Sequence, residues 1–211
     1  MRVVVTRAEA QADPLVERLE ALGHQVVRCP LIRIEPLGDG PIDPAPYDWV
    51  VVTSPNGAAE LARRLAAPPH RLAAIGPGTE AELRRRGLHP SLVPVVSTQE
   101  GLLAELPRPP GRVLLAAAEG ARRLLVDELG ADFLPLYRTV ELVPDAAPEG
   151  DLVLLASPSA ARALARTGAR LPVVAIGPQT AGAARAAGLE VRAEAETHDL
   201  DGLLAAVAAL A

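Results

Sequence analysis

The sequence predicts an α/β protein made of two similar lobes, each holding a parallel β-sheet covered by helices. Three observations lead there. Short β-branched runs alternate with helix-like stretches from one end of the chain to the other. The strand candidates are continuous apolar runs, as strands buried on both faces should be. The pattern also occurs twice: AIGPGTEAELRRRGL at 74–88 is matched by AIGPQTAGAARAAGLEV at 175–191. A chain of 211 residues suits one large domain or two small ones. Hydrophobic residues make up 49% and aromatics only 2%, so the core must be built from Ala, Val and Leu.

The elements follow in order. VVVT (3–6) is a strand, and ADPLVERLEALG (12–23) a helix with Leu15, Leu19 and Leu22 at helical spacing and Gly23 as its stop. QVVRCPLIRI (25–34) is extended. WVVVT (49–53) leads into a helix within SPNGAAELARRLA (54–66), and RLAAI (71–75) into GPGTEAELRRRG (76–87). LVPVV (92–96) reads as a strand before the helix in STQEGLLAEL (97–106). RVLLAA (112–117) precedes EGARRLLVDELG (119–130), and FLPLYRTVEL (133–142) is extended. LVLLA (152–156) precedes SPSAARALART, PVVAI (172–176) precedes GPQTAGAARAAG, and LEVRAEA (189–195) precedes THDLDGLLAAVAAL. Such alternation implies βαβ units.

The duplication reaches beyond the Gly-Pro turn. YDWVVVTSPNGAAELARRL matches GDLVLLASPSAARALAR, pairing Ser54 with Ser157. Gly76 pairs with Gly177, EGLLAEL with DGLLAAV, RVVVTRAEA with RVLLAAAEG, and PLIRI (30–34) with PLYRT (135–139). Two lobes with a cleft between them are expected. The repeat alone leaves two divisions open: tandem lobes split near 107–111 (PRPPG), or lobes that exchange their outer segments through IRIEPL and RTVEL.

Composition removes several kinds of chemistry. Every basic residue is arginine, so Schiff-base catalysis, pyridoxal phosphate attachment and a P-loop lysine are excluded. The net charge is −5 and the longest basic run is Arg84-Arg85-Arg86, read as a solvated helix face, so nucleic acid is not an expected partner. Cys29 stands alone in an apolar run, which reads as an inert buried thiol in a reducing, cytoplasmic setting. No apolar stretch approaches the ~20 residues of a membrane span. His24, His70, His89 and His198 are scattered without a ligand partner at i+3 or i+4, so no metal site is expected. No GxGxxG fingerprint or GxSxG elbow is present.

In a parallel sheet, ligands bind beyond the carboxyl ends of the strands. TSPNGA (53–58), ASPSAA (156–161) and the two IGPxT loops fall there. Each opens a helix whose first amides lack partners, so the loops are natural anion sites. One such loop alone would read as simple capping; four, in paired lobes, point to a ligand with several anionic groups. Thr53, Ser54, Asn56, Gly57, Gly76, Thr79, Ser157, Ser159, Gly177 and Gln179 are the binding residues expected from them. Tyr137, one of two tyrosines, sits where a strand leaves a lobe, and its repeat partner is Ile32. It is either a linker side chain with a satisfied hydroxyl or a proton or hydrogen-bond donor, protonated near neutrality with a pKa of about 10.

Taken together, VVVTRAEAQADPLVERLEALGHQV, YDWVVVTSPNGA, AAIGPGTEAELRRRG, PLYRT, VAIGPQTAGAARAAGLEV and THDLDGLL resemble the uroporphyrinogen-III synthase family over nearly the whole chain. The resemblance implies two flavodoxin-like lobes joined by a two-stranded linker, with 1–34 and 141–211 in one and 35–140 in the other. It implies a cofactor-free reaction on hydroxymethylbilane, a linear tetrapyrrole with eight carboxylates. The terminal hydroxyl is lost, the last pyrrole ring is inverted through a spiro intermediate, and the macrocycle closes. Tyr137 matches the family tyrosine implicated in hydroxide departure, and Thr180 falls in a loop that carries family threonines. Arg7 and Arg138 are the arginines expected to hold carboxylates. Relatives often place two threonines where Gln179-Thr180 stand, and an arginine that LLAAAEGAR lacks. A monomer acting in the cytoplasm is expected.

Two other readings compete with a cyclising lyase. One is a non-catalytic two-lobed protein that binds a polycarboxylate or tetrapyrrole. The other is a nucleotide- or flavin-binding protein of the flavodoxin type.

Overall fold

Residues 1–210 are described by the structure, a computed structural model. In chain order the elements are β1 (Arg2–Val5), α1 (Asp13–Ala21), β2 (Gln25–Arg28), β3 (Ile32–Pro36), β4 (Trp49–Val52) and α2 (Pro55–Arg64). There follow β5 (Leu72–Ala74), α3 (Pro77–Arg85), α4 (Gln99–Glu105), β6 (Val113–Ala118), α5 (Leu124–Leu129) and β7 (Asp132–Glu141). The chain ends with β8 (Leu152–Leu155), α6 (Pro158–Arg166), β9 (Val173–Ala175), α7 (Pro178–Ala186), β10 (Val191–Glu194) and α8 (Leu200–Ala208). Contacts divide the chain into two compact units, Met1–Arg33 with Thr139–Ala211, and Ile34–Arg138.

The first unit carries a sheet of order β10-β9-β8-β1-β2, with all four pairings parallel. Counted along the chain this is the 2-1-3-4-5 order of flavodoxin-like sheets, in which the direction of winding reverses between β1 and β8. The second sheet has the order β3-β7-β6-β4-β5. Its β7-β6-β4-β5 portion is parallel and reverses between β6 and β4. Started from β6, it follows the same 2-1-3-4 order, so the second unit is a circular permutation of the first. Where the first unit has its fifth strand, the second has only an isolated bridge from Ala73 to Leu92. The chain passes from one unit to the other within β3 and within β7. Leu37 N–H donates to Leu136 O and Leu142 N–H to Leu31 O, which sets these two strands antiparallel.

Both cores are aliphatic. Val3, Val5, Leu15, Leu19, Leu154 and Leu203 centre the first. In the second, Val50 and Val52 face a cluster with Leu61, Leu83 and Tyr137, while Val51 faces Leu102, Leu115 and Leu125 on the other side. Successive residues of β4 thus enter opposite layers, as the period of two requires. The apolar run of this strand is explained by helices on both faces.

Two extended runs differ from the sequence expectation. The stretch 25–34 is two strands in separate sheets, β2 and β3, interrupted at Cys29 and Pro30. Residues 92–96 form no strand beyond the Leu92 bridge. Pro94 has no N–H to give a ladder, and the chain leaves the sheet there. Helix α5 is also shorter than its pattern, beginning only at Leu124.

Side-chain caps start four helices. The Ser54, Thr98, Ser157 and Asp199 oxygens accept from the backbone N–H of Gly57, Gly101, Ala160 and Gly202 at 3.0, 3.1, 3.2 and 2.8 Å. At Gly101 and Gly202 the preceding loop passes so close that an added Cβ would overlap the carbonyl oxygen of Val96 or Thr197. Gly101→Ala and Gly202→Ala are therefore expected to destabilise the protein by about 1–3 kcal/mol each. Urea unfolding measures this; unchanged midpoints would show that the loops yield freely.

Candidate functional site

Parallel pairing delivers the loops after β4, β5, β8 and β9 to the carboxyl edge of their own sheet. In each unit the reversal of winding opens a place for a ligand at that edge. The groups found there differ between the units.

In the second unit, the reversal lies between the loop after β4 and the loop after β6. Tyr137 reaches it from β7, the neighbouring strand. Its phenol oxygen is 2.9 Å from Ser54 Oγ, and Asn56 hydrogen-bonds to it as well. Ser54 also caps α2 by accepting from Gly57 N–H, so one hydroxyl fixes both the helix start and the phenol. Gly57 is buried, and a Cβ there would press on Ser54 Oγ at 3.2 Å and Val52 at 3.3 Å. Small size at position 57 keeps Ser54 in place. Tyr137 is only 5% exposed and packs in the core. Burial raises its pKa above the ordinary phenol value, while the hydrogen bonds to Ser54 and Asn56 pull it down. The phenol stays protonated through neutral pH. Arg138, the next residue, points the other way along the strand: it is exposed and pairs with Glu35 at 3.4 Å. Thr53 is half-buried at the start of the same loop.

The first unit offers cationic and amide groups at its reversal. Arg7, just beyond β1, is partly buried, and its Nε donates to Gln11 O at 3.1 Å. It has no carboxylate partner among the described residues, and burial lowers its pKa. A desolvated guanidinium without a counter-charge is a strong site for an anionic ligand. Across the reversal, Ser157 caps α6, and Ser159 Oγ accepts from the Arg162 guanidinium at 3.0 Å. Ser157 occupies the repeat position of Ser54 but has no tyrosine opposite it, since Ile32 stands at the matching site.

The two IGPxT loops are alike. Gly76 and Gly177 cap α3 and α7 with extended backbone, and Thr79 and Thr180 lie at the third helical position. Both threonines are 3% exposed, and neither hydroxyl has a hydrogen-bond partner among the described residues. Gly76 and Gly177 are needed for space: a Cβ would lie 2.5 Å from Ser97 Oγ in one loop and 2.8 Å from the His198 ring in the other. Gln179 is exposed on the first turn of α7. Ser97 and His198 were not singled out from the sequence; their signal is the matched spacing to the GP turns.

Elsewhere, Arg84, Arg85 and Arg86 are exposed and paired with Glu80 and Glu82, a solvated helix face. Cys29 is half-buried, and burial raises its thiol pKa. Among the described residues, no group of three or more His, Cys, Asp or Glu is placed to hold a metal ion. Among the same residues, no helix is long and apolar enough to cross a membrane.

The family model for uroporphyrinogen-III synthase HemD matches residues 13–205. The uroporphyrinogen-III synthase of Synechococcus elongatus is 27% identical over 246 aligned positions, covering 97% of this chain and 93% of that protein. The chloroplastic uroporphyrinogen-III synthase of Oryza sativa subsp. japonica is 28% identical over 236 positions, covering 95% and 77%. A crystal structure of a mutant uroporphyrinogen III synthase from the extremely thermophilic bacterium Thermus thermophilus aligns with a TM-score of 0.65 at 20% identity, over 99% of this chain and 98% of that one. It supports the fold.

The raised pKa of Tyr137 links it to alkaline stability. The unfolded phenol titrates near pH 10 and the folded one above it. The stabilisation is fully present below the unfolded pKa and is lost as pH rises through the folded value. Tyr137→Phe is expected to cost about 1 kcal/mol at neutral pH, one hydrogen bond, and to flatten the loss of stability above pH 10. Denaturant unfolding across that range checks it; parallel curves for both proteins would contradict the assignment.

Proposed function

Because the chain belongs to the uroporphyrinogen-III synthase HemD family and is a cyclising lyase that converts hydroxymethylbilane to uroporphyrinogen III, we propose that Tyr137 is the group that assists departure of the terminal hydroxyl. The observation that carries this reading is the protonated phenol held by Ser54 and Asn56 at the carboxyl edge of the second sheet.

Substrate and product differ by the elements of water, so the reaction changes no oxidation state and calls for no redox cofactor. A hydroxyl is a poor leaving group until it accepts a hydrogen bond or a proton. Tyr137 O–H supplies one. As charge grows on the phenol oxygen, the Ser54 hydroxyl and the Asn56 amide steady it. Burial opposes full ionisation, so the phenol acts mainly by hydrogen bonding in the transition state. The C–O bond breaks as the adjoining pyrrole pushes its electrons toward it, and that pyrrole's N–H proton turns the departing hydroxide into water. The pyrrole carbon of the last ring attacks the methylene carbon so exposed, returning the nitrogen's electron pair. Ring inversion and closure follow with loss of one ring-carbon proton, which restores the N–H.

The remaining task is to fold a flexible chain with eight carboxylates. Arg7 is assigned to one carboxylate because its guanidinium has no counter-charge among the described residues. Thr180 and Thr79, with the first-turn amides of α7 and α3, are assigned to others, and so are the starts of α2 and α6. Thr53, Ser159 and Gln179 sit beside these amides and complete the contacts. Arg138, exposed and paired with Glu35, exchanges that partner for a substrate carboxylate. We read the enzyme as a cytoplasmic monomer that acts without cofactor.

The test is the isomer made. Hydroxymethylbilane closes by itself to the type I isomer, so the purified protein is expected to give type III. Type I alone would overturn the reading. Tyr137→Phe is expected to lower kcat at least about tenfold with the far-UV spectrum unchanged; an unaltered kcat would remove Tyr137 from the mechanism.

A further inference from the structure

The loop between Leu92 and α4 holds two adjacent valines in water. Val95 is 93% exposed and Val96 58%. A single exposed apolar residue is ordinary. These two are consecutive, and their backbone is fixed. Glu105 Oε1 accepts from Val95 N–H at 2.8 Å. Thr98 N–H donates to Val96 O at 2.7 Å, and the same oxygen rests against Gly101. Ser97 packs on Gly76 at the start of α3. Restraints at 95, 96 and 97 hold the side chains outward, where water gives them no gain.

Their place in the duplication is informative. Ser97 and His198 both pack on the glycine of an IGPxT loop, which aligns the two rim segments. Val95 and Val96 then correspond to Glu196 and Thr197, both polar and exposed. The apolar pair belongs to one unit alone and adjoins the first turn of α3, with its unpartnered Thr79 hydroxyl.

We propose that Val95 and Val96 form a seat for the flat face of one pyrrole ring of the linear tetrapyrrole. This inference rests on the synthase reading. A pyrrole ring of this substrate is apolar on its faces and anionic at its edge, through its carboxylate side chains. A pair of rigid methyl-bearing side chains beside the first turn of α3, with the Gly78 N–H and the Thr79 hydroxyl, matches both features at once. The matching position in the first unit carries a carboxylate, Glu196, which repels the same edge. The seat is therefore one-sided: the second unit offers a place for a ring face that the first unit lacks at the matching position. Val95 and Val96 are positioning residues; they take no part in bond making.

The experiment compares Val95→Ser/Val96→Ser with Val95→Leu/Val96→Leu by steady-state kinetics on hydroxymethylbilane, isomer analysis and thermal unfolding. The serine pair is expected to raise KM about fivefold to thirtyfold, with kcat within about twofold and Tm unchanged. The leucine pair keeps the wild-type KM. An unchanged KM in the serine pair overturns the proposal, and so does a fall in Tm together with kcat, which would make the valines structural. If the wild type makes only the type I isomer, the synthase reading itself falls; if it makes type III while the serine pair behaves as wild type, the seat alone falls.

Discussion

Parallel strand pairing is the constraint on which the rest depends. Two parallel neighbours cannot be joined by a tight turn, so a helix-length crossover follows each strand. The crossover covers one face of the sheet and begins at the carboxyl edge. Both faces of β4 and β8 are therefore apolar, as Trp49–Val52 and Leu152–Leu155 are, each buried throughout. The same geometry places the first turns of α2, α3, α6 and α7, each opening on a proline and each followed by a second-position N–H, along one edge of their own sheet. Helix starts of this kind offer backbone N–H groups to an anion even in a chain with 2% aromatics and no lysine.

Duplication then supplies material for divergence. Ser54 and Ser157 cap corresponding helices in the same way. In one unit, Ser54 also holds Tyr137; in the other, Ile32 leaves Ser157 with its capping role alone. Arg7 has the reverse asymmetry, since its repeat partner in the second unit is Ala117. One half provides a proton-bearing hydroxyl and an apolar rim, the other a cation with no carboxylate partner among the described residues.

Much of the fold was legible because apolar runs, capping residues and the repeat agreed with one another. The strand at 49–53, the cap at Ser54 and the Gly-Pro helix starts all follow from local chemistry. The rim at 92–96 was misread because its leucine and valine side chains outweighed Pro94, whose missing N–H decides the matter. The break in 25–34 was hidden in the same way by Cys29-Pro30. The site was partly legible. The loops announce themselves by spacing, but the bond from Tyr137 to Ser54 joins residues 83 apart and has no local signature. Likewise, nothing in the sequence around Arg7 says that its guanidinium lacks a carboxylate partner among the described residues. That follows only from where the acidic residues end up in the fold.

The central claim is that the carboxyl edge of each sheet, taken by itself, is a surface for the carboxylates of the tetrapyrrole. Hydrogen–deuterium exchange with and without uroporphyrinogen III, under anaerobic conditions, tests it most directly. The account predicts slower exchange at the first turns of α2, α3, α6 and α7, with little change in the loops at the opposite edge, such as 107–112 and 168–172. Protection confined to that opposite edge, or absent from all four helix starts, would contradict it.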